Sequence, residues 1–504
     1  MSDEQDEVIH FLMNPAQHGG ASVDHVETHG AHIFLSGDEA LKIKRAVSYD
    51  YMDFSTLEIR EQMLRRELEL NQPAAPEIYR DVIAVTLDKN GLSLGGKGKP
   101  VEWVLRMWRF PIEAELSQVV ARGEMTDRLA EDLGRAVARY HAQSSRRDAD
   151  GAELIGEIIE ELETAFSGMG AQLGDARVAQ FSSRARKAFD RIAPLLTERS
   201  AAGFVRRCHG DLHLRNLVLI DGRPVPFDAL EFDETLGTCD ILYDLAFLVM
   251  DLQHHDLHRA ANVVLNAWLF EQGGAEDSSL AALPLFLAIR AGIRAMVDVQ
   301  TDAAAHHEGQ STKDAQSYMD YAGSALADIP SRLIAVGGLS GSGKTTLARR
   351  LAPAIGRFPG AVHIRSDLER KALAGVDPLE HLPDDAYSAT SAQAVYDRLL
   401  ERAETILATG QSVILDATFM APAEREAVAS LAARAGVAFT GVWLEAPQQT
   451  LASRVTDRRD DASDADASVV VKQAKRDVGE ISWTRFDTTG AFEDLVSRAL
   501  DTLR

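Results

Sequence analysis

The sequence predicts two domains of mixed α+β and α/β class. These are an N-terminal bilobal domain (residues 1–329) and a C-terminal α/β domain with a parallel sheet (residues 330–504). Three observations predict this. A chain of 504 residues exceeds one ordinary domain of about 150 residues. Near Pro111 the texture changes from short strands and turns to almost unbroken helix. From Leu333 onward, apolar strands alternate with helical stretches, which is how a parallel sheet flanked by helices reads.

In order, residues 32–35, a Ser-Gly-Asp-Glu turn and residues 40–44 read as a hairpin. Leu57, Met63, Leu64 and Leu68 fall at helical spacing and are closed off by Pro73 and Pro76. Residues 82–87, a Gly/Lys-rich turn at 95–99 and residues 101–108 form a second hairpin. The small β-rich lobe thus spans about 1–110 and the helical lobe about 111–329, with a loop-rich island at 209–240. In the second domain the strand candidates are 333–337, 362–364, 412–415 and 438–444, and the boundary falls near Pro330.

Composition excludes several classes. Apolar residues at 45% and charged residues at 26% are globular values. The 77 acidic against 53 basic residues give a net charge of −24, which repels phosphate backbones and anionic lipid and disfavours nucleic acid or a membrane surface as partner. Cys208 and Cys239, the only cysteines, cannot build a disulfide framework or a four-thiolate zinc site. The acidic N-terminus lacks the basic start of a secretory signal, and no run approaches the ~20 apolar residues that span a bilayer, so a cytoplasmic protein is expected. No feature fixes an oligomeric state.

The run Cys208-His-Gly-Asp-Leu-His-Leu-Arg-Asn216 places Asp211 five residues before Asn216, and Asp228 follows twelve residues later at the end of an apolar strand. Phosphoryl transfer needs a carboxylate to take or orient the acceptor hydroxyl proton, which fits Asp211. It also needs oxygen ligands for Mg²⁺, which fits Asn216 and Asp228, and a rigid loop, which fits His209. This run resembles the catalytic loop His-Gly-Asp-x-x-x-x-Asn of the aminoglycoside phosphotransferase and choline kinase branch of the protein-kinase-like fold. Asp240-Ile-Leu-Tyr-Asp244 resembles a second motif of that family, which implies a structural role for Asp244. The resemblance further implies a strand lysine on the nucleotide phosphates, paired with a helix glutamate. Lys42 is favoured, with Lys44 on the same strand face close behind, and Glu67 is the partner; the alternative is a solvated strand edge. The family's Gly-x-Gly-x-x-Gly before the lysine is missing, and only Gly30 and Gly37 bracket the hairpin.

Gly338-Leu-Ser340-Gly341-Ser342-Gly343-Lys344-Thr345 is a complete Gly-x4-Gly-Lys-Thr between an apolar strand and a helical stretch that begins at Thr346. Its backbone N–H groups would curl around phosphate, Lys344 would reach the β/γ-phosphates, and the Thr345 hydroxyl would ligate Mg²⁺. Asp367 lies just past the second strand, where ligands bind in open α/β sheets, and suits a proton acceptor. Arg370 and Lys371 are then available for an anionic substrate or for the transferring phosphate. The alternative is a helix-capping Asp367 with solvated basic neighbours. Asp416 ends an apolar strand as a Walker-B carboxylate would. Arg454, Arg458 and Arg459 suit either a lid that donates arginine to the transition state or a solvated helix. This half resembles the small P-loop kinases: gluconate and shikimate kinases, the kinase domain of polynucleotide kinases, and zeta-toxin-like enzymes. The whole resembles a bacterial architecture in which an aminoglycoside-phosphotransferase-like domain is fused to a P-loop kinase-like ATPase.

The expectation is a phosphotransferase with two Mg²⁺–ATP (or GTP) sites acting on hydroxyl groups of small molecules. The alternatives keep one catalytic site, a polynucleotide 5′-hydroxyl or metabolite kinase with a regulatory N-terminal domain, or make the chain an NTPase switch acting on a partner protein.

Overall fold

The computed structural model describes residues 2–49, 52–305, 310–457 and 461–503. It divides into two compact units, one of Met1–Leu154 with Leu196–Asp251 and the other of Ile155–Leu195 with Leu252–Arg504.

The first unit opens on a six-stranded antiparallel sheet. Its order is Asp24–Glu27, Ala31–Ser36, Glu39–Lys44, Lys99–Trp108, Tyr79–Asp88, Gly91–Leu94. The predicted first hairpin is present, with Ser36 opposite Glu39 across the Gly37-Asp38 turn. The second differs. Tyr79–Asp88 pairs with Lys99–Trp108, but the short strand Gly91–Leu94 also folds back onto it, because Lys89-Asn90 makes an additional turn. Strand alternation sends Leu41 and Ile43 to an apolar cluster with Val8, Leu12, Phe34, Val85 and Val104. Lys42 and Lys44 are buried on the opposite face.

That face is covered by helix Leu57–Asn71, started by Thr56, whose side chain accepts the Ile59 amide. Its buried residues, Arg60, Leu64, Glu67 and Asn71, recur once every turn or two, and three of the four are polar. A polar inner face is costly unless every group is bonded, and here each is. Arg60 Nε meets both oxygens of buried Glu102 at 3.1 and 3.0 Å, and Asn71 accepts the Ala229 amide at 2.8 Å. Further along, the hairpin Leu217–Ile220/Arg223–Pro226 and the antiparallel strand pair Val205–Arg207/Thr238–Asp240 flank the His209–Asn216 loop.

The second unit contains a five-stranded, wholly parallel sheet in the order Val362–Arg365, Val413–Asp416, Arg332–Gly338, Ala438–Glu445, Thr484–Asp487. Four of these strands match the predicted ones to within a residue or two. The fifth, Thr-Arg-Phe-Asp, has one buried residue and no apolar run to betray it. The core packs Ile334, Val336, Ile414, Val442 and Leu444 against Leu347 and Leu351 of helix Lys344–Leu351 and Leu495 and Val496 of helix Phe492–Asp501. Register aligns Arg365 with Asp416 and Asp416 with Val336, so the polar residues gather at the carboxyl edge of the sheet. Helices including His258–Glu271 and Leu283–Ala305 belong to the same unit.

Candidate functional sites

In the first unit, Lys42 and Lys44 lie on the third strand in chain order and share one carboxylate. Lys42 Nζ donates to Glu67 Oε1 at 2.7 Å and Lys44 Nζ to Glu67 Oε2 at 2.6 Å. The two lysines diverge beyond it, Lys42 to Asp228 Oδ1 at 2.9 Å and Lys44 to Glu231 Oε1 at 2.5 Å. Lys42 is therefore the one that connects the helix glutamate to the residue predicted to hold metal. Glu231 was missed by sequence reasoning; its signal was an acidic residue three positions after Asp228 in an otherwise apolar stretch. Burial tends to raise the Asp228 carboxyl, but Lys42 and then Lys44 beside it hold it below the ordinary value. Burial also opposes charge on Lys42, yet Asp228, Glu67 and Glu231 keep its pKa well above normal. The Asp228 side chain is 44% exposed, so the figure of about 3–5 kcal/mol for breaking a buried ion pair applies to Glu67, which is fully buried between the two lysines.

Asp228 sits at φ +61°, a conformation rare for a non-glycine residue, with its amide donating to the Tyr79 hydroxyl at 3.0 Å. The residues of the His209–Asn216 loop meet as well. Asn216 Nδ2 donates to both the carbonyl and Oδ2 of Asp211 at 2.9 Å. His213 Nδ1 accepts the Arg215 amide at 3.2 Å, so its Nε2 carries the proton facing Asp211 Oδ2 at 3.3 Å. Burial lowers the His209 pKa and keeps the ring neutral. Its Nδ1 accepts the Asp211 amide at 3.4 Å, and its Nε2 donates to the Phe227 carbonyl at 2.9 Å. Asp244, fully buried, accepts the amides of His209 at 3.2 Å and Gly210 at 2.9 Å and the His141 ring at 3.1 Å. That is a scaffold for the loop. The same His141 and Asp244 lie with Cys208 in a buried group of metal-ligand type, but the Asp244 oxygens are already committed to these bonds. The turn joining the first two strands is Thr28-His29-Gly30, with one glycine where a phosphate-covering loop of this fold would carry three.

Glu234, exposed, gathers Arg66 at 2.7 Å, Arg147 at 2.6 Å and Arg207 at 3.1 Å. Arg66 neighbours Glu67, and Arg207 nearly abuts His209, so this knot ties the helix to the loop.

In the second unit, Gly338, Gly341 and Gly343 have φ of +137°, +81° and +91°. A side chain on Gly338 or Gly341 would lie 2.5 Å from the carbonyl of Leu444 or Leu451. Glycine is thus required at both for the loop to close over the sheet. Lys344 Nζ donates to the Leu339 carbonyl at 3.1 Å. Thr345 Oγ1 donates to Asp416 Oδ2 at 2.6 Å, and the His363 ring lies 3.4 Å from the same oxygen. Burial would raise the Asp416 carboxyl, but His363, Lys344 and Arg365 around it hold it at about 2. Ser340 exchanges hydrogen bonds with Gln473, its amide at 2.8 Å and its hydroxyl at 3.1 Å; Ser342 is buried and Thr346 exposed. Asp367 lies beside Arg365 and Ser463, and burial raises its pKa. A cavity of about 500 Å³ is lined by Leu379, His381, Val455, Thr456, Asp461 and residues 463–468, Ser463 among them.

The remaining sequence candidates have the following partners. Lys371 is fully buried, with Asp464 at 2.8 Å and the Glu380 carbonyl as its partners. Arg370 binds the Ala386 carbonyl at 2.8 Å and stacks over Tyr387. Arg454 donates to the Thr488 hydroxyl at 2.9 Å and to its carbonyl at 2.6 Å, which ties helix Gln448–Asp457 to the segment after strand Thr484–Asp487. Arg458 and Arg459 lie outside the described residues. His363 and Arg365 were not anticipated as partners of Asp416, about 50 residues away, nor Gln473 of Ser340 or Asp464 of Lys371, because only the folded sheet and its loops bring each pair together.

Two lysines held by acidic partners and a loop carrying paired Asp and Asn in one unit, and a glycine-rich phosphate loop on a parallel sheet in the other, define a two-domain protein. It has a phosphotransferase-type, kinase-like N-terminal region and a C-terminal P-loop domain. Residues 60–283 match the Phosphotransferase enzyme family and residues 333–477 match the AAA domain family. The chain is 29% identical over 493 residues to an uncharacterized protein of Mycobacterium tuberculosis, covering 95% of this chain and 94% of that protein, and an uncharacterized protein of Mycobacterium bovis gives the same figures. Among solved structures it is similar to an amicoumacin kinase in complex with AMP-PNP and Ca²⁺ (16% identity, 62% of this chain and 93% of that one, TM-score 0.38). It is also similar to a choline/ethanolamine kinase family protein from Mesorhizobium loti (14%, 64% and 94%, TM-score 0.35). A third is a gluconokinase from Sinorhizobium meliloti (21%, 35% and 93%, TM-score 0.26). Among the described residues, no helix is long and apolar enough to cross a membrane.

Proposed function

We propose that the chain is a phosphotransferase with two nucleotide sites, one on each side of a boundary near Pro330, each moving the terminal phosphate of ATP or GTP to a hydroxyl of a small molecule. The observation that supports it is that the chain builds a phosphate-type constellation twice. Each has a lysine amino group, paired oxygen donors and a separate carboxylate placed to take a proton. In the first unit Lys42 would face the phosphates, and Asp211, oriented by Asn216 and His213, would accept the acceptor's proton. In the second, the amides of the Gly338–Thr345 loop and Lys344 would hold the phosphates, and Asp367 would act as base. An acceptor would reach Asp367 from the cavity beside Ser463. Both donor sets, Asn216 with Asp228 and Thr345 with Asp416, are hard oxygen ligands of the type Mg²⁺ takes. The ion would neutralise charge on the transferring phosphate.

The test is transfer of labelled γ-phosphate into a metabolite extract by wild type, Asp211→Ala and Lys344→Ala. Two products, one lost in each variant, support the reading. Product formation untouched by Asp211→Ala favours a single-site kinase with a binding module at its N-terminus, the reading that the glycine-poor Thr28–Gly30 turn supports.

The raised pKa of Asp367 sets a pH dependence. The base works only when ionised, so P-loop-dependent transfer falls as pH drops through a value above the usual 3.8. A profile of kcat/KM against pH should show this acid limb in wild type, and Asp367→Asn should leave a low, flat residue of activity. An equally steep limb in Asp367→Asn would refute the assignment.

A further inference from the structure

The parallel sheet of the second unit ends on strand Val362–Arg365, whose outer edge has no neighbouring strand among the described residues. A bare edge leaves backbone donors and acceptors unpaired. Here two of them, the His363 amide and the Ala361 carbonyl, are met by side chains from helix His258–Glu271. Asn266 Oδ1 accepts the His363 amide at 2.7 Å. Asn262 Nδ2 and Asn266 Nδ2 donate to the Ala361 carbonyl at 3.0 and 3.4 Å. The two asparagines are four residues apart, hence on one helix face. The turn after that helix supplies a second attachment. Asp277 binds Arg402 through two contacts of 2.8 Å, and Arg402 passes on to Glu369 at 2.5 Å. Glu369 also takes Arg398 at 2.5 Å, which in turn donates to the Gly273 carbonyl at 2.9 Å. The side chains of Asp277, Arg402 and Glu369 are 3%, 9% and 2% exposed, so this is a closed ionic chain rather than a surface pair. Glu369 stands two residues beyond Asp367 on helix Ser366–Ala374, which follows directly from strand Val362–Arg365.

We infer that residues 258–281 form a brace that positions the strand and helix carrying Asp367, with Asn266, Asp277 and Arg402 as positioning residues of the P-loop site. Two independent attachments converge on the two elements that meet at Asp367. Neither touches the Gly338–Thr345 loop through any of the bonds above. The brace lies ahead of Pro330 in the sequence, so the P-loop site is completed by residues outside the segment that carries its motifs. The consequence for turnover rests on the role proposed for Asp367; the brace itself does not.

Hydrogen exchange on the full-length chain tests it, comparing wild type with Asp277→Asn and the milder Asn266→Ala. The amides of residues 362–374 should exchange roughly tenfold faster in Asp277→Asn, and faster in Asn266→Ala, while residues 31–44 of the first unit keep wild-type protection. Unchanged exchange at 362–374 overturns the brace. So does uniform acceleration that includes 31–44, which would mean general destabilisation. In steady-state assays of Lys344-dependent phosphate release from ATP, Asp277→Asn should lower kcat about tenfold with KM for ATP within about twofold, and Asp277→Glu should recover part of the loss. Faster exchange with unaltered kcat overturns the positioning role. If wild type shows no Lys344-dependent release, the proposed function fails, and exchange alone decides the brace.

Discussion

Asparagine at position 211 is expected to reduce transfer at the first site by about 10²–10⁴-fold in kcat, the range that general-base catalysis supplies. The substitution is nearly isosteric and isolates the loss of proton acceptance. Asp211 is positioned by neighbours that also bond to its own backbone: Asn216 reaches both its carbonyl and its carboxylate, and the His209 ring accepts its amide. The loop is further pinned by Asp244 beneath His209 and Gly210. An amide at 211 can still bond to Asn216, so the fold and the KM for nucleotide should change little, because Lys42, Glu67 and Asp228 are untouched. Initial rates across nucleotide concentrations check this. A rise in KM with full kcat would mean that Asp211 serves binding and that another group takes the proton.

Lys344→Ala should abolish turnover at the second site, by about 10³-fold in kcat/KM, comparable to removing a dedicated transition-state donor. Its ammonium donates to the Leu339 carbonyl within its own loop, and loss of one such bond costs only about 1 kcal/mol. Thermal unfolding should therefore shift by a few degrees at most while activity disappears. Product made by the first site should persist at its full rate. Joint loss of both products would contradict two independent sites.

The parts of the site that could be read from sequence were those set by local periodicity or motif spacing. Lys42 and Lys44 share a face because strand side chains alternate. Asp211, Asn216 and Asp228 stood out by spacing, and the Gly338–Thr345 loop by its run between strand and helix. What escaped were partners that tertiary contact alone brings in. Glu231 became visible only when Lys44 was seen to need a second carboxylate, and Tyr79 only when the Asp228 amide needed an acceptor. Lys371 belongs with them: its partner Asp464 lies 93 residues away in the chain, a pairing that no local spacing announces. Strand Thr484–Asp487 escaped because an outermost strand needs little apolar character. Asn262 and Asn266 look like ordinary helix-surface residues until the strand they bond is in view.

Those two asparagines have a second consequence. A strand flank with open amides and carbonyls invites the same flank of another copy to zip against it, the first step of aggregation. By occupying His363 and Ala361, helix His258–Glu271 plugs that flank with side-chain amides, which cannot propagate a ladder. Solubility, as well as geometry, is thereby entrusted to a helix that the P-loop motifs alone would not have included.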